Sequence, residues 1–346
     1  MIRVAKMNTF TQDSQTIRYD RQILIENWNQ DKIREGKVII VGMGALGLVA
    51  AVSLAMAGVG ELILVDFDTI EISNLNRQLL FRMDDIGKSK VEVAARELLK
   101  INSGLKITAL NMKIQDVPQT DLESVSVIVE GLDTFIDRRW VNSYIVEHNI
   151  PLVSGGMFGF LGNIQVIIPH ENACLECQSL IPEEELQKAC TPFGEGRKEI
   201  RQEEPLEENI PSVSSVSFVI GGLMAQEALK ILLKLSPLKD YLFWDGSVGV
   251  FTAIELSRRE NCFVCSSEYQ LNAIPVRSAF DQQINDFVTQ LRYSFNLGKE
   301  MVMIHGTVKI DSSEEKLSTV LKSADIVRVI DPSLSKPLKF QVTFDS

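Results

Sequence analysis

The chain has 346 residues, of which 45% are hydrophobic and 23% are charged, a composition typical of a globular protein with a substantial core. Its formal net charge is −11 and its sequence pI is about 5.0. This charge argues against nucleic acid or an anionic membrane as the main partner, because both bind basic surfaces. The first residues are polar and lack the apolar core of a secretory signal, so we expect a cytoplasmic protein.

Strand and helix patterns alternate through the first half of the chain. Apolar, β-branched runs predict strands at 38–42, 61–68, 106–110, 125–133 and 151–155, and helical patterns occupy 45–57 and 88–102. This alternation predicts an α/β fold with a doubly wound, mostly parallel sheet of the Rossmann-like kind. Residues 38–60 carry no charge and are long enough to span a bilayer. Their glycines favour a buried strand, a tight turn and a buried helix instead.

The second half of the chain has a different character. A strand is predicted at 160–169, a polar and exposed segment at 182–209, a helix at 215–235, and strands at 241–246 and 250–256. A helix at 281–295, a strand at 301–310, a short helix at 317–324 and strands at 325–331 and 338–344 then indicate a small α/β domain. We therefore expect a first domain at 1–268, which contains a loop at about 178–212, and a small C-terminal domain at 275–346.

A glycine-rich motif, GMGALG, lies between the first predicted strand and its helix. Gly42, Gly44 and Gly47, with Ala45 among them, let the backbone turn tightly at a helix N-terminus, which is a site for phosphate. Asp66, at the end of the next strand, is placed to accept hydrogen bonds from ribose hydroxyls. NAD and FAD enzymes share this much of the pattern.

The segment after Asp66 favours ATP over NAD. A triphosphate needs neutralising cations and a Mg²⁺ held by carboxylate oxygen. Arg77 and Lys90 supply the cations, and Asp133 at the end of a later strand is placed to hold the metal. The polar side chains that we expect around the nucleotide are Asp68, Asn74, Arg77, Gln78, Lys90 and Asp133.

The five cysteines form two C-x-x-C pairs and one remainder. The pairs are Cys174 with Cys177 and Cys262 with Cys265, and they favour a tetrahedral zinc over disulfides in a cytosolic chain. Four protein ligands leave no open position, so this zinc is expected to be structural. Cys190 remains as a free thiol in the polar segment. It is either a catalytic nucleophile or an incidental cysteine, and we favour the nucleophile.

These motifs together resemble the E1-like superfamily, which includes ubiquitin-activating enzymes and the bacterial adenylyltransferases MoeB and ThiF. RYDRQ at 18–22, VGMGALG, DFDTIEISNLNRQ, IGKSK and GLD occur in the family's order over roughly residues 15–265. The resemblance implies that Asp66 holds the ribose, Arg77 and Lys90 the phosphates, and Asp133 the Mg²⁺. It also implies a homodimer in which Arg21 reaches into the partner's site.

The chain departs from the family's pattern at two positions. Ala45 stands where many members have a second consecutive glycine, and Thr134 stands where an asparagine often follows the aspartate. Alanine adds only a methyl group, so we expect ATP binding to survive.

The resemblance implies a function as well. ATP adenylates the C-terminal Gly-Gly of a ubiquitin-like protein, Cys190 then takes the protein as a thioester, and an E2 conjugating enzyme receives it. The small C-terminal domain would resemble the ubiquitin-fold domain that recruits the E2.

Three alternative functions stand beside this one. A MoeB- or ThiF-like enzyme would adenylate a sulfur carrier without an obligatory thioester. A noncatalytic scaffold subunit of a heterodimeric E1 is disfavoured by the intact set of Arg77, Lys90 and Asp133. An NAD-dependent oxidoreductase is disfavoured by the same charges.

Overall fold

Two β-sheets account for the alternation of strands and helices in the sequence. The computed structural model describes residues 17–122, 124–177, 211–239, 241–260, 262, 264–266, 273–299, 301–305, 308–331 and 338–345. An eight-stranded sheet forms the larger part of the molecule and a five-stranded sheet the smaller part. The predicted α/β fold class is confirmed.

The first five strands of the large sheet run parallel to one another. They are β1 (Lys37–Val41), β2 (Glu61–Val65), β3 (Lys106–Leu110), β4 (Val127–Glu130) and β5 (Leu152–Phe158). Their order is β3-β2-β1-β4-β5. The central strands are almost wholly buried because helices cover both faces. The order reverses at β1, which creates the switch point where open α/β sheets bind ligands.

Three antiparallel strands extend the sheet beyond β5. They are β6 (Leu161–Ile167), β7 (Tyr241–Asp245) and β8 (Val250–Ile254). The strand predicted at 160–169 is thus the second arm of a hairpin with β5. β8 forms the edge of the sheet, and all five of its residues are exposed.

Helices pack on both faces of the large sheet. They are α1 (Asp20–Ile23), α2 (Gln30–Glu35), α3 (Ala45–Ala57), α4 (Lys90–Ile101), α5 (Gln119–Leu122), α6 (Phe135–His148) and α7 (Ser214–Leu233). Among the described helices, α7 alone has the length and apolar composition to cross a bilayer, but 61% of its apolar window is buried inside the protein. It packs against α3 and β5 and therefore belongs to the core of the large part of the molecule.

The smaller sheet has the strand order β11-β10-β12-β13-β9. Its elements are β9 (Ile274–Ala279), α8 (Ile284–Phe295), β10 (Val302–His305), β11 (Val308–Ile310), α9 (Leu317–Val320), β12 (Ile326–Ile330) and β13 (Leu338–Asp345). β9 and β13 are parallel, and the other neighbours are antiparallel.

The single strand predicted at 301–310 is instead two antiparallel strands. They pair from Met303 with Ile310 to His305 with Val308. The ubiquitin-fold assignment of this part, and the domain boundaries at 268 and 275, stay predictions.

Side chains of the small sheet contact the large part of the molecule. Arg328 of β12 forms an ion pair with Glu147 of α6 and donates a hydrogen bond to the carbonyl oxygen of Ser143 at 3.3 Å. Burial lowers the pKa of Arg328 to about 10. Ile304 and Ile330 join the apolar cluster that also contains α6. The small sheet therefore shares part of its core with the large sheet.

Candidate active site

Glycines build the turn after β1 because neighbouring atoms leave little room for side chains. Gly42 has a φ of 87° and donates its N–H to the carbonyl oxygen of Val65 at 2.9 Å. A Cβ on Gly47 would lie 1.9 Å from the carbonyl oxygen of Gly42, whereas one on Gly44 would meet nothing within 4 Å. Ala45, the first residue of α3, is buried without displacing the turn. The N-terminus of α3, with N–H groups available to an anion, therefore opens at this turn.

The carboxylate of Asp66 joins the glycine turn to the loop after β2. Its two oxygens accept the backbone N–H of Met43 at 2.6 Å and that of Asp68 at 2.8 Å. Burial raises the pKa of Asp66, and the positive charge of Lys90 opposes that rise. Asp66 thus lies at the switch point predicted for the ribose, held by two backbone donors.

Lys90 reaches the same loop through a short antiparallel pairing. Thr69 pairs with Ser89, which brings Lys90, the first residue of α4, against Asp68. The Nζ atom of Lys90 lies 2.7 Å from the Asp68 carboxylate, and its side chain is only 9% exposed. A nearly buried ammonium close to the glycine turn suits a phosphate ligand.

The SNLNRQ run begins in a 3₁₀ helix, Ile72–Asn74, and continues as a turn. The side-chain oxygen of Asn74 accepts the N–H of Glu71 at 3.1 Å. Arg77 is half-buried and donates to the carbonyl oxygen of Ser73 at 2.8 Å; burial lowers the pKa of Arg77. Gln78 is buried, and its Oε1 atom has no hydrogen-bond partner in the described part of the chain. Such an atom is a candidate for bonding a ligand or water.

Asp133 lies in the loop after β4, next to the glycine turn. The N–H of Gly131 bonds to the carbonyl oxygen of Val41 at 3.0 Å, and a Cβ on Gly42 would lie 3.0 Å from the oxygen of Gly131. Asp133 itself is exposed. A free carboxylate beside a phosphate-binding turn fits the hard oxygen ligands that Mg²⁺ prefers. The loops after β1, β2 and β4 thus meet at one edge of the sheet.

Arg21 is an exposed residue of an anchored motif. The Tyr19 hydroxyl accepts a hydrogen bond from Asn102 at 3.2 Å, and Gln22 donates to the carbonyl oxygen of Ala57 at 2.8 Å. These contacts anchor the RYDRQ motif to α3 and α4. The side chain of Arg21 between them is 89% exposed, as a residue that acts on a neighbouring subunit needs to be.

The two C-x-x-C pairs meet in the fold. The sulfur of Cys174 lies 3.6 Å from that of Cys262 and 3.8 Å from that of Cys177, and Cys177 lies 3.3 Å from Cys265. All four sulfurs fall within 4.8 Å of one another and all four residues are buried. Tetrahedral zinc with Zn–S bonds of about 2.3 Å separates its sulfurs by about 3.8 Å. The donors and their spacing therefore fit a structural zinc.

Two buried arginines at the start of α6 escaped the sequence analysis. Arg138 contacts the carbonyl oxygen of Leu132 and lies 3.8 Å from Glu130. Arg139 forms an ion pair with Glu176, between the two cysteines of the first pair. The RRW run was visible, but a sequence does not tell a buried arginine from a solvated one, and most are solvated.

Cys190, the predicted nucleophile, lies outside the described residues, as does almost all of the loop predicted at about 178–212. Its role stays a prediction.

Known proteins are similar to this one in sequence and in fold. A profile of the ThiF family matches residues 19–264, from the RYDRQ motif to the second cysteine pair. The chain belongs to the ThiF family.

The relatives include enzymes of at least two kinds. The NEDD8-activating enzyme E1 catalytic subunit of Caenorhabditis elegans is 28% identical in an alignment of 398 positions that covers 91% of each chain. The sulfur carrier protein ThiS adenylyltransferase of Escherichia coli K12 is 32% identical over 271 residues, 76% of this chain and 99% of the relative. A crystal structure of E. coli MccB with ATP superimposes with a TM-score of 0.59 at 30% identity, and covers 72% of this chain and 74% of that chain.

These similarities confirm the predicted superfamily. The protein is an E1-like, ATP-dependent adenylyltransferase. The individual roles of its site residues stay predictions.

Proposed function

We propose that the protein activates a ubiquitin-like protein and carries it as a thioester on Cys190. The length of the match supports this choice. Residues 1–273 are less than four fifths of the 346-residue chain, so a match over 91% of it must enter the small sheet. The ThiS adenylyltransferase matches almost over its own full length yet covers only 76% of this chain. The match to the E1 catalytic subunit therefore includes residues of the small sheet.

The first step is adenylation of the C-terminal carboxylate of a Gly-Gly tail. A carboxylate oxygen attacks the α-phosphorus of ATP, a C–O–P bond forms, and the bond to the bridging oxygen breaks as pyrophosphate leaves with the electron pair. The glycine turn, Arg77 and Lys90 bind the phosphates, and Asp66 the ribose hydroxyls. Asp133 would hold a Mg²⁺, which neutralises phosphate charge when bound. Catalysis then rests on positioning and preorganised charge.

The second step transfers the acyl group to Cys190. Its thiolate sulfur attacks the carbonyl carbon of the acyl-adenylate, the C–S bond forms, and AMP leaves with the electron pair of the broken C–O bond. The small sheet then recruits an E2 conjugating enzyme, which receives the activated protein.

A gel assay tests this proposal. Purified protein with ATP, Mg²⁺ and a candidate ubiquitin-like protein is expected to form an adduct that a thiol reagent cleaves. Cys190→Ala should abolish the adduct while ATP–pyrophosphate exchange persists. Cys190→Ser should form an oxygen ester that resists thiol, which marks residue 190 as the acceptor. Loss of exchange in the wild-type protein would instead support a scaffold subunit.

A sulfur-carrier adenylyltransferase is the second candidate. It is favoured by the 32% identity to the ThiS enzyme and by 31% identity to the molybdopterin-synthase adenylyltransferase of Salmonella typhimurium, whose chain is covered to 97%. Exchange without any thiol-sensitive adduct on the protein would establish this function in place of the first.

We further propose a homodimer in which Arg21 enters the partner's site. Its exposure on an anchored motif supports this arrangement. Arg21→Ala and Asp133→Ala should each be inactive alone. In an equal mixture, about half of the dimers contain one subunit of each variant, and one of the two sites in such a dimer is intact. The mixture should therefore recover about a quarter of the wild-type exchange rate. A monomer in solution would contradict the homodimer and favour a different second subunit, as the name of the C. elegans relative suggests for that enzyme.

We place this activity in the cytoplasm, without nucleic-acid or membrane partners. The four described cysteines of the protein form no disulfide, and cysteines stay reduced in reducing compartments.

A further inference from the structure

The loop that carries Asp133 is bonded at its two ends: the N–H of Gly131 donates to the carbonyl oxygen of Val41, and the hydroxyl of Thr134 donates to Asp137. It joins β4 to α6 through four residues, and Asp133 and Thr134 are both exposed. Within the described part of the chain, no hydrogen bond or ion pair holds the Asp133 carboxylate. A ligand for a metal must nevertheless be held close to its productive position.

Arg138 provides the missing constraint from the second turn of α6. Its Nε and Nη2 atoms donate to the carbonyl oxygen of Leu132 at 2.9 and 2.5 Å. That carbonyl belongs to the peptide bond that joins Leu132 to Asp133. A rigid guanidinium with two donors on one oxygen fixes the direction of this peptide plane.

The same guanidinium ties the loop to two strands of the large sheet. Its Nη2 atom donates to the carbonyl oxygen of Gly155 at 2.7 Å, and its Nη1 atom donates to Ser154 Oγ at 3.0 Å. The Ser154 hydroxyl in turn donates to Glu130 at 2.7 Å, and Glu130 lies 3.8 Å from Arg138. The loop is therefore clamped to β4 and β5 by one buried side chain.

We infer that Arg138 is a positioning residue for the divalent cation: it holds the Leu132–Asp133 peptide so that the Asp133 carboxylate faces the nucleotide. This inference rests on the proposed function, in which Asp133 is the metal ligand. Partners that orient a metal ligand change metal affinity or activity by about 10- to 100-fold when they are altered.

Arg139 is a matched control for Arg138. Both are buried arginines in consecutive positions of α6, and both face a buried glutamate. Arg139 contacts Glu176 beside the cysteine cluster, whereas Arg138 contacts the loop that carries Asp133. A role in packing alone would make the two substitutions equivalent for metal binding.

The experiment measures Mn²⁺ binding to the full chain by electron paramagnetic resonance, with a nonhydrolysable ATP analogue present. Arg138→Lys keeps the charge opposite Glu130 but loses the paired donors, so we expect about tenfold weaker Mn²⁺ binding. The Mg²⁺ concentration for half-maximal ATP–pyrophosphate exchange should rise by the same factor. Arg139→Lys should lower the melting temperature and leave both metal titrations at their wild-type values.

Wild-type Mn²⁺ affinity in folded Arg138→Lys would overturn the inference, and so would an equal loss in Arg139→Lys. If Arg138→Lys does not fold, Ser154→Ala gives the answer, because it removes one anchor of the guanidinium and keeps both charges. About fivefold weaker Mn²⁺ binding is then expected, and wild-type affinity would overturn the inference. A wild-type protein that binds no Mn²⁺ with the analogue would instead refute the proposed function itself.

Discussion

At the scale of single residues, two glycines of the turn after β1 have different surroundings. A Cβ on Gly47 would overlap the carbonyl oxygen of Gly42, whereas one on Gly44 would meet open space. We expect Gly47→Ala to lower the free energy of unfolding by about 3 kcal/mol through overpacking. Gly44→Ala should cost only about 1 kcal/mol, because alanine is a poorer N-cap. Guanidinium denaturation measures both, and equal losses would contradict this account of the turn.

Glu130 gives the protein a specific pH dependence. It is fully buried, and burial raises its pKa from the ordinary 4.5 to about 7 against the opposing charge of Arg138. Between those two pH values the folded protein holds a proton that the unfolded chain has released. Stability is therefore lost as the pH rises from about 4.5 to about 7, by about 3 kcal/mol at most.

Glu130→Gln tests this dependence, because glutamine has no proton to release. As the pH rises from 5 to 8, the wild-type protein should lose unfolding free energy relative to the variant. Denaturation at each pH measures this difference. Glu97→Gln is the control. Lys100 and Arg96 lower the pKa of Glu97. Its contribution to stability is therefore present from pH 5 to 8 and is lost only as the pH falls below the ordinary pKa of a glutamate. A constant difference for Glu130→Gln would refute the buried proton.

At the scale of elements, the cysteine cluster fastens the segment after β6 to the segment after β8. Each segment supplies only two of the four cysteines, so a metal that binds all four sulfurs links the two segments. The Arg139–Glu176 ion pair attaches the first of them to α6. The cluster therefore stabilises the antiparallel extension of the large sheet.

We predict one zinc per chain by elemental analysis of freshly purified protein. Cys174→Ser should lose the zinc and lower the melting temperature, because structural zinc contributes directly to folding. Cys190→Ser is the matched control and should keep a full equivalent of zinc. Well-folded wild-type protein without zinc would exclude this site.

At the scale of the whole molecule, Arg328 connects the small sheet to the large one. Its side chain is 14% exposed and that of its partner Glu147 is 36% exposed. We expect Arg328→Met to lower the free energy of unfolding by about 2 kcal/mol, below the cost of breaking a fully buried pair. Hydrogen exchange should increase in β12 and the last turn of α6, while ATP–pyrophosphate exchange continues.

Lys106→Met is the control for Arg328→Met. Lys106 lies 2.9 Å from Glu61, and its side chain is 71% exposed, so the change should cost less than about 0.5 kcal/mol. Unaltered hydrogen exchange in Arg328→Met would show that the ion pair does not hold the small sheet in place.

Much of the fold and of the site could be predicted from the sequence, because the features concerned depend on short stretches of chain. The strands around β1 are apolar runs, and the glycine turn is a local requirement of backbone geometry, so both are visible in short stretches of chain. The division of residues 301–310 into two antiparallel strands, β10 and β11, was not predicted, because the stretch has the pattern of one strand. Cys190 stays a sequence-based prediction.

By itself, the sequence determined the residue types that the chemistry needs: a glycine turn at a helix N-terminus, an acid after the next strand, cations beyond it and two thiol pairs. These depend on neighbours within a few positions. Only the tertiary structure decided which charges are buried and which partners they have. Three features depend on segments that are distant along the chain and that packing alone brings together. They are the ion pair of Lys90 with Asp68, the hydrogen bonds of Arg138 to the loop of Asp133, and the contact between cysteines 88 positions apart.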